Sequence, residues 1–137
     1  MNHYRKTMQK YLDRQKVDGC PFCNSQTRAR SIQETSSVYV VANLTQYDLW
    51  ELYDVTDHFL VIPKRHVKNL QELTERERLE IMDVLADYET KGYNIYARGA
   101  DSARRSVEHQ HTHVIKSNSK HPRFSLFLRK PYFLFKF

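Results

Sequence analysis

The chain has 137 residues, with 22 Lys and Arg against 16 Asp and Glu, a formal charge of +6 and a pI near 9.4. That length suits one domain with a single core; no apolar run approaches a membrane span and no apolar signal core opens the chain, so the expected address is the cytoplasm, without membrane contact. The basic balance favours anionic ligands, nucleotides first and nucleic acid second, although a merely solvated basic surface explains the charge nearly as well.

In chain order, residues 3–16 carry Tyr4, Met8, Tyr11 and Leu12 at helical spacing with Lys and Arg between them, which predicts an amphipathic helix ended by Asp18-Gly19. Cys20-Pro21-Phe22-Cys23 follows. A C-x-x-C pair reads as a redox dithiol, as half of a zinc site, or as a tight disulfide. Zinc needs two further ligands, and His66 and His109 are the candidates. Ser36 to Leu44 is rich in β-branched and aromatic residues and predicts a strand, with a second over Asp48 to Tyr53. His58-Phe59-Leu60-Val61-Ile62-Pro63 is a nearly continuous apolar run, expected of a central strand buried on both faces and stopped by proline.

Thr74-Glu75-Arg76-Glu77 has the form of a capping box and opens a helix to about Lys91, with Ile81, Met82, Leu85 and Tyr88 as its apolar face and Gly92 as its C-terminal cap. Tyr93 to Arg98 predicts another strand. The stretch 106–115 then places His109, His111 and His113 at alternate positions, so that a strand would present them in one row. Such a row can bind a metal or a phosphate, or set up a nucleophile oriented by its neighbours. The plain alternative is a solvated histidine cluster. The aromatic tail, Phe124 to Phe137, predicts an edge strand with an extended arm and a partner contact. Strands, one long helix and further strands make an α+β pattern around an antiparallel sheet, divided into an N-terminal helix (1–19), a core domain (20–116) and a C-terminal arm (117–137).

Five stretches in this order resemble the histidine triad (HIT) superfamily, and its zinc-bearing bacterial members in particular. Cys20-Pro21-Phe22-Cys23 is similar to their opening, and the stretch from His58 to Pro63 with Lys64-Arg65-His66 to their central strand and turn. Leu70 to Tyr88 resembles their helix, Tyr93-Asn94-Ile95 the strand before the triad, and His109-Gln110-His111-Thr112-His113-Val114-Ile115 the triad itself. The resemblance covers about residues 20–116. It implies a HIT-like antiparallel sheet with one main helix, beside which the predicted N-terminal helix would be extra. It also implies a homodimer, and hydrolysis or transfer of nucleoside monophosphates through a covalent nucleotidyl-histidine. The leading expectation is a phosphoramidase-like enzyme acting on a purine nucleotide or nucleotidyl conjugate. A dinucleoside polyphosphate hydrolase, an enzyme deadenylating nucleic-acid ends, and a non-catalytic zinc-stabilised nucleotide- or RNA-binding module are the alternatives.

Carried across by position, His111 would attack the α-phosphate, His113 and His58 would flank the phosphate, and Ser106 would donate its hydroxyl to phosphate or leaving group. Cys20, Cys23, His66 and His109 would form a closed, structural zinc site. The chain also departs from the family. Arg104-Arg105 replaces a Gly-Gln pair, with Arg105 expected at the phosphates or leaving group and Arg104 in solvent. Arg98 stands where relatives carry an amide near the nucleotide. Glu108, Gln110 and Thr112 replace apolar residues, so that face of the triad strand is expected to be less buried. No ribose-binding residue can be placed, because Asn43 lies too far upstream of His58 and Trp50 occupies the usual spacing. Asp57 replaces a frequent glycine, and Lys116 the proline after the triad.

Overall fold

The computed structural model describes residues 19–118 together with the backbone of 125–127 and 134–136; the helix predicted over 3–16 lies outside them. Six antiparallel strands form one sheet: β1 (Ser31–Glu34), β2 (Val38–Ala42), β3 (Leu49–Trp50), β4 (Tyr53–Pro63), β5 (Asn94–Tyr96) and β6 (Thr112–Ser117). Their order is β1-β2-β4-β6-β5, with β3 paired onto β4. A short helix α1 (Ser25–Arg28) precedes β1, and the main helix α2 (Glu75–Thr90) joins β4 to β5. This is the α+β arrangement predicted from the sequence, an antiparallel sheet with one main helix.

The side-chain period of two sorts the sheet into faces. Val38, Val40, Val61 and Val114 point to the helix and meet Ile81, Val84, Leu85 and Tyr88 in one buried cluster. Each such aliphatic side chain contributes about 1.5–3 kcal/mol when fully buried. Tyr39, Val41, Leu60 and Ile62 cover the opposite face, with Phe22 packed against them. His58 shares its parity with Leu60 and Ile62, and β6 is paired so that Leu60 faces His113 and His58 faces Ile115. The histidines therefore lie on the sheet face away from α2.

Helix α2 begins as predicted. Thr74 accepts from the Glu77 amide while the Glu77 carboxylate accepts from the Thr74 amide. It ends with Gly92 at φ +82°, the Gly92 amide bonded to Glu89 O and the Tyr93 amide to Tyr88 O. The Tyr88 and Tyr93 rings meet edge to face at 5.1 Å, the apolar contact that accompanies this cap. The buried stripe differs at one position from the predicted one: Val84 is inside, whereas Met82 is 63% exposed.

Three other expectations are corrected. The strand predicted over 48–53 is a hairpin, in which Leu49 and Trp50 pair with Asp54 and Tyr53 across a two-residue turn at Glu51-Leu52. Both turn residues have positive φ, 52° and 72°, the geometry that matches strand twist but is usually supplied by Asn-Gly. The histidine strand, predicted over 106–115, pairs only from Thr112 to Ser117, and residues 106–111 approach it irregularly. In that approach Gln110 donates its amide to Val67 O at 2.7 Å, and Gln110 and Thr112 are buried rather than open; of the three residues expected on an open face, Glu108 alone faces solvent, paired with Lys68. Among the described residues of the tail none joins the main sheet. Its Ser125–Phe127 (β7) and Leu134–Lys136 (β8) pair with each other.

Candidate functional site

The Cys20–Cys23 turn closes with the Cys23 amide on Cys20 O at 3.1 Å. This segment is fastened to the sheet, since the Tyr39 hydroxyl donates to Phe22 O and Arg28 Nη2 to Lys64 O. Both cysteines are free thiols rather than a disulfide, and among the described residues no βαβ unit of the kind a redox pair uses surrounds them. Instead Cys20 Sγ lies 3.4 Å from His109 Nδ1, and Cys23 Sγ lies 3.3 Å from His66 Nδ1 and 3.5 Å from His109 Nδ1. All four donor atoms fall within 4.8 Å of one another.

A tetrahedral ion with ordinary thiolate and imidazole bond lengths would hold its sulfur and nitrogen ligands roughly 3.5 Å apart. The donor set therefore fits a metal ion. The His109 ring supports this fit: its Nε2–H donates to Pro63 O at 2.9 Å, which fixes the tautomer and leaves Nδ1 as the ligand atom. Burial holds the His109 pKa down to about 4, so the ring is neutral, as a ligand must be.

The next histidine is oriented by the same residue. His111 Nδ1 lies 2.8 Å from the His109 carbonyl oxygen, which can only accept, so the His111 proton sits on Nδ1 and the Nε2 lone pair is left for chemistry. Burial lowers the His111 pKa, and the guanidinium charges of Arg105 and Arg98 lower it further, against the opposing pull of that carbonyl. A neutral imidazole presenting a lone pair at a cleft wall is equipped to act as a nucleophile.

His58 and His113 form a second unit, with His58 Nε2 at 2.8 Å from His113 Nδ1. The Tyr47 amide donates to His58 Nδ1 at 3.1 Å. His58 therefore carries its proton on Nε2 and gives it to His113 Nδ1, which places the His113 proton on Nε2. The Tyr47 ring stacks on His113 at 5.8 Å, and the His111 and His113 rings meet at 5.1 Å. His109, His111 and His113 thus do not share one role: all three reach the wall of the cleft, but the ring of the first joins the thiols.

That cleft has a volume of about 740 Å³. Its walls include His111, His113, Ser106, Asn43, Phe22 and Leu60. Ser106 is exposed there. Arg105 also reaches the wall, but its Nη2 and Nε donors are engaged by its own chain: Nη2 donates to Lys68 O, Glu108 O and Gln110 Oε1, and Nε to Val107 O. Arg104 is exposed. Arg98 donates to the Tyr47 hydroxyl at 3.1 Å and lies over the Tyr96 ring, not among the residues lining the cleft.

Two residues of the site have no signal in sequence spacing. Asn43 sits at the end of β2, and its amide bonds His58 O because β2 and β4 are in register there. Its side-chain Nδ2 is 3.1 and 3.4 Å from the two His58 ring nitrogens, so it lies across the ring, while its Oδ1 accepts from the Thr45 amide and hydroxyl. The β3–β4 hairpin absorbs the extra chain length between Asn43 and His58. Phe22 places its ring 5.0 Å from His111 and 5.9 Å from His109, packed between the thiol cluster and the cleft. Strand register places Asn43, and the fold of the Cys20–Cys23 turn onto the sheet places Phe22.

Comparison with known proteins agrees with this architecture. The family model of the HIT domain matches residues 54–120. No curated protein matches the sequence. A HIT family hydrolase from Clostridium thermocellum superimposes with a TM-score of 0.55 at 21% identity, over 79% of this chain and 98% of that one. A histidine triad nucleotide-binding protein from Candida albicans gives 0.57 at 21% identity, over 73% and 76%. A histidine triad protein from Clostridium difficile gives 0.53 at 21% identity, over 80% and 98%. At these identities the likeness speaks for the fold, and the family model covers β4, α2 and the triad. Residues 54–120 therefore carry a HIT domain, on the fold of histidine triad proteins.

Proposed function

We propose that the protein is a phosphoramidase-like nucleotide hydrolase or transferase that acts through a covalent nucleotidyl-histidine on His111. The observation that carries this reading is the His111 tautomer, fixed by the His109 carbonyl with the ring at the wall of the cleft. A cleft of this size accommodates a nucleoside monophosphate. Phe22, Val41, Leu44 and Leu60 offer apolar surface for a purine, while Asn43, Ser106 and His113 offer polar groups for ribose and phosphate.

In the reading proposed, His111 Nε2 forms a bond to the α-phosphorus as the bond to the leaving group breaks. The leaving group departs with that electron pair and takes a proton by way of the Ser106 hydroxyl. Water then attacks the phosphorus, the N–P electron pair returns to Nε2, and the proton that water gives up restores the Ser106 hydroxyl. His113, through Nε2–H, stabilises charge on the phosphoryl oxygens.

Cys20, Cys23, His66 and His109 would hold one structural zinc per chain, whose supply of four bonds ties the Cys20–Cys23 turn to the residue that orients His111. Elemental analysis of protein purified without added metal checks it, and a metal-free chain overturns it. A homodimer is proposed as well. Exposed Ile95 on the terminal strand β5 and exposed Leu79 and Met82 on α2 supply apolar surface for it, and light scattering gives the mass.

The deciding experiment offers nucleotides labelled at the α-phosphate, drawn from adenosine and guanosine phosphoramidates, dinucleoside polyphosphates and adenylated DNA. Rapid quenching should leave a base-stable, acid-labile label on His111. Nucleotide affinity without any labelled histidine would make the protein a binding module instead.

A further inference from the structure

We propose that Arg105 is a positioning residue, which clamps the turn carrying His66 to the segment carrying His109 and His111 instead of gripping the substrate. Its contacts come from both sides of that junction. On one side is Lys68 O, two residues beyond His66 and next to Val67. On the other are Val107 O, Glu108 O and the side-chain oxygen of Gln110, immediately before and after His109. The two Lys68 and Glu108 contacts are both 2.6 Å, and those to Val107 and Gln110 are 3.1 and 3.2 Å.

The clamp is placed where the fold is otherwise weak. Residues 106–111 make no strand ladder, and one backbone bond, from the Gln110 amide to Val67 O, crosses between the two segments beside it. Gln110 is 3% exposed, with Oε1 on Arg105 and Nε2 without a partner among the described residues, so the guanidinium provides the bond that makes its burial tolerable. A planar fork with donors on two edges can serve carbonyls from two segments at once; an ammonium on a flexible stem cannot hold that geometry. Because the His109 carbonyl sets the His111 tautomer, movement of residues 107–110 displaces the nucleophile. The Nη1 donors are the ones through which Arg105 could still meet a phosphate, and this is the competing outcome.

The inference rests on His111 being the nucleophile, and the test separates the two. Arg105→Lys, Arg105→Gln and Arg105→Ala are compared with the wild-type chain by hydrogen–deuterium exchange over residues 107–111 and by steady-state kinetics on the best substrate of the panel. The clamp predicts exchange of the Gln110 amide at least about tenfold faster in all three. It also predicts kcat reduced about tenfold or more, with KM within about threefold and no rescue by lysine. Unchanged exchange, or a raised KM with kcat preserved and restored by lysine, overturns it in favour of phosphate binding. Faster exchange with wild-type kcat overturns it too, leaving Arg105 a structural residue only. Should Arg105→Ala fail to fold, Arg105→Lys carries the comparison. A wild-type chain that turns over no substrate sinks the catalytic reading, and with it the positioning role, whereas the exchange result then still judges the junction itself.

Discussion

At the scale of single residues, the site depends on which atom of each ring carries a proton. His111 is set by a carbonyl and His58 by an amide, both main-chain groups that no side-chain substitution removes. Truncating the His111 side chain should therefore cost chemistry and little else. His111→Ala is expected to lose on the order of a thousandfold or more in kcat while nucleotide affinity and melting temperature stay close to wild type. Equilibrium binding, thermal melting and turnover on one preparation check this, and wild-type kcat would refute it. Residue types and spacing offered the thiol–imidazole grouping, since a C-x-x-C pair needs two further ligands. Separate roles for the histidines came only with the resemblance to the histidine triad proteins; spacing alone put them in one row. The role of Arg105 was not legible, because its identity says only that it carries charge. Whether it meets a phosphate or four oxygen atoms of its own chain depends on where residues 107–110 and Lys68 come to lie.

At the scale of elements, periodicity worked where one face is buried against one partner. The capping box, the glycine cap and the central strand follow from local rules, and all are present. The β3–β4 turn escaped because Glu51-Leu52 carries no turn signal and adopts positive φ under the demand of its flanking pairs, a tertiary override of local preference. Replacing the pair by Asn-Gly should relieve left-handed strain of about 1–2 kcal/mol and raise the melting temperature by several degrees without altering kcat. An unchanged or lower melting temperature would show the turn to be unstrained.

The helix is also tied to the sheet electrostatically. Glu80 accepts from Thr35, Ser36 and the Ser37 amide in the β1–β2 turn, and Glu77 accepts from Arg65 beyond β4. The Arg65 bond is the main cause that lowers Glu77 from 4.5 to about 2, and the Ser36 and Thr35 hydroxyls lower Glu80 further. Folded-state values below the unfolded ones mean that this stabilisation is complete above pH 4.5 and disappears as the pH falls toward 2. Melting temperature should fall across that window, and Glu77→Gln should be less stable at pH 7 yet show a shallower acid slope. Parallel slopes would remove Glu77 from the account.

At the scale of the whole molecule, two layers cover the sheet unequally. One face has a full helix. Among the described residues the other has the short Cys20–Arg28 segment and the β3–β4 hairpin, which together leave room for the cleft. Among the described residues no helix is long and apolar enough to cross a membrane. The thin layer is the one that a metal would hold, so chelation at neutral pH should lower the melting temperature by at least about 5 °C. His66→Ala should start lower and lose the response to chelator. Equal melting curves with and without chelator in the wild type would dispose of a structural metal.

The two uses of His109 carry a consequence for how such chains can diverge. Its ring belongs to the thiol cluster, but its carbonyl, which orients His111, belongs to the backbone and is present in every amino acid. A descendant could therefore exchange both cysteines and the imidazole at 109 for apolar residues, provided their packing held the chain in place, and keep the tautomer of the neighbouring ring. In this architecture the thiol cluster and the orientation of His111 hang on different atoms of one residue, so that one could be lost without the other.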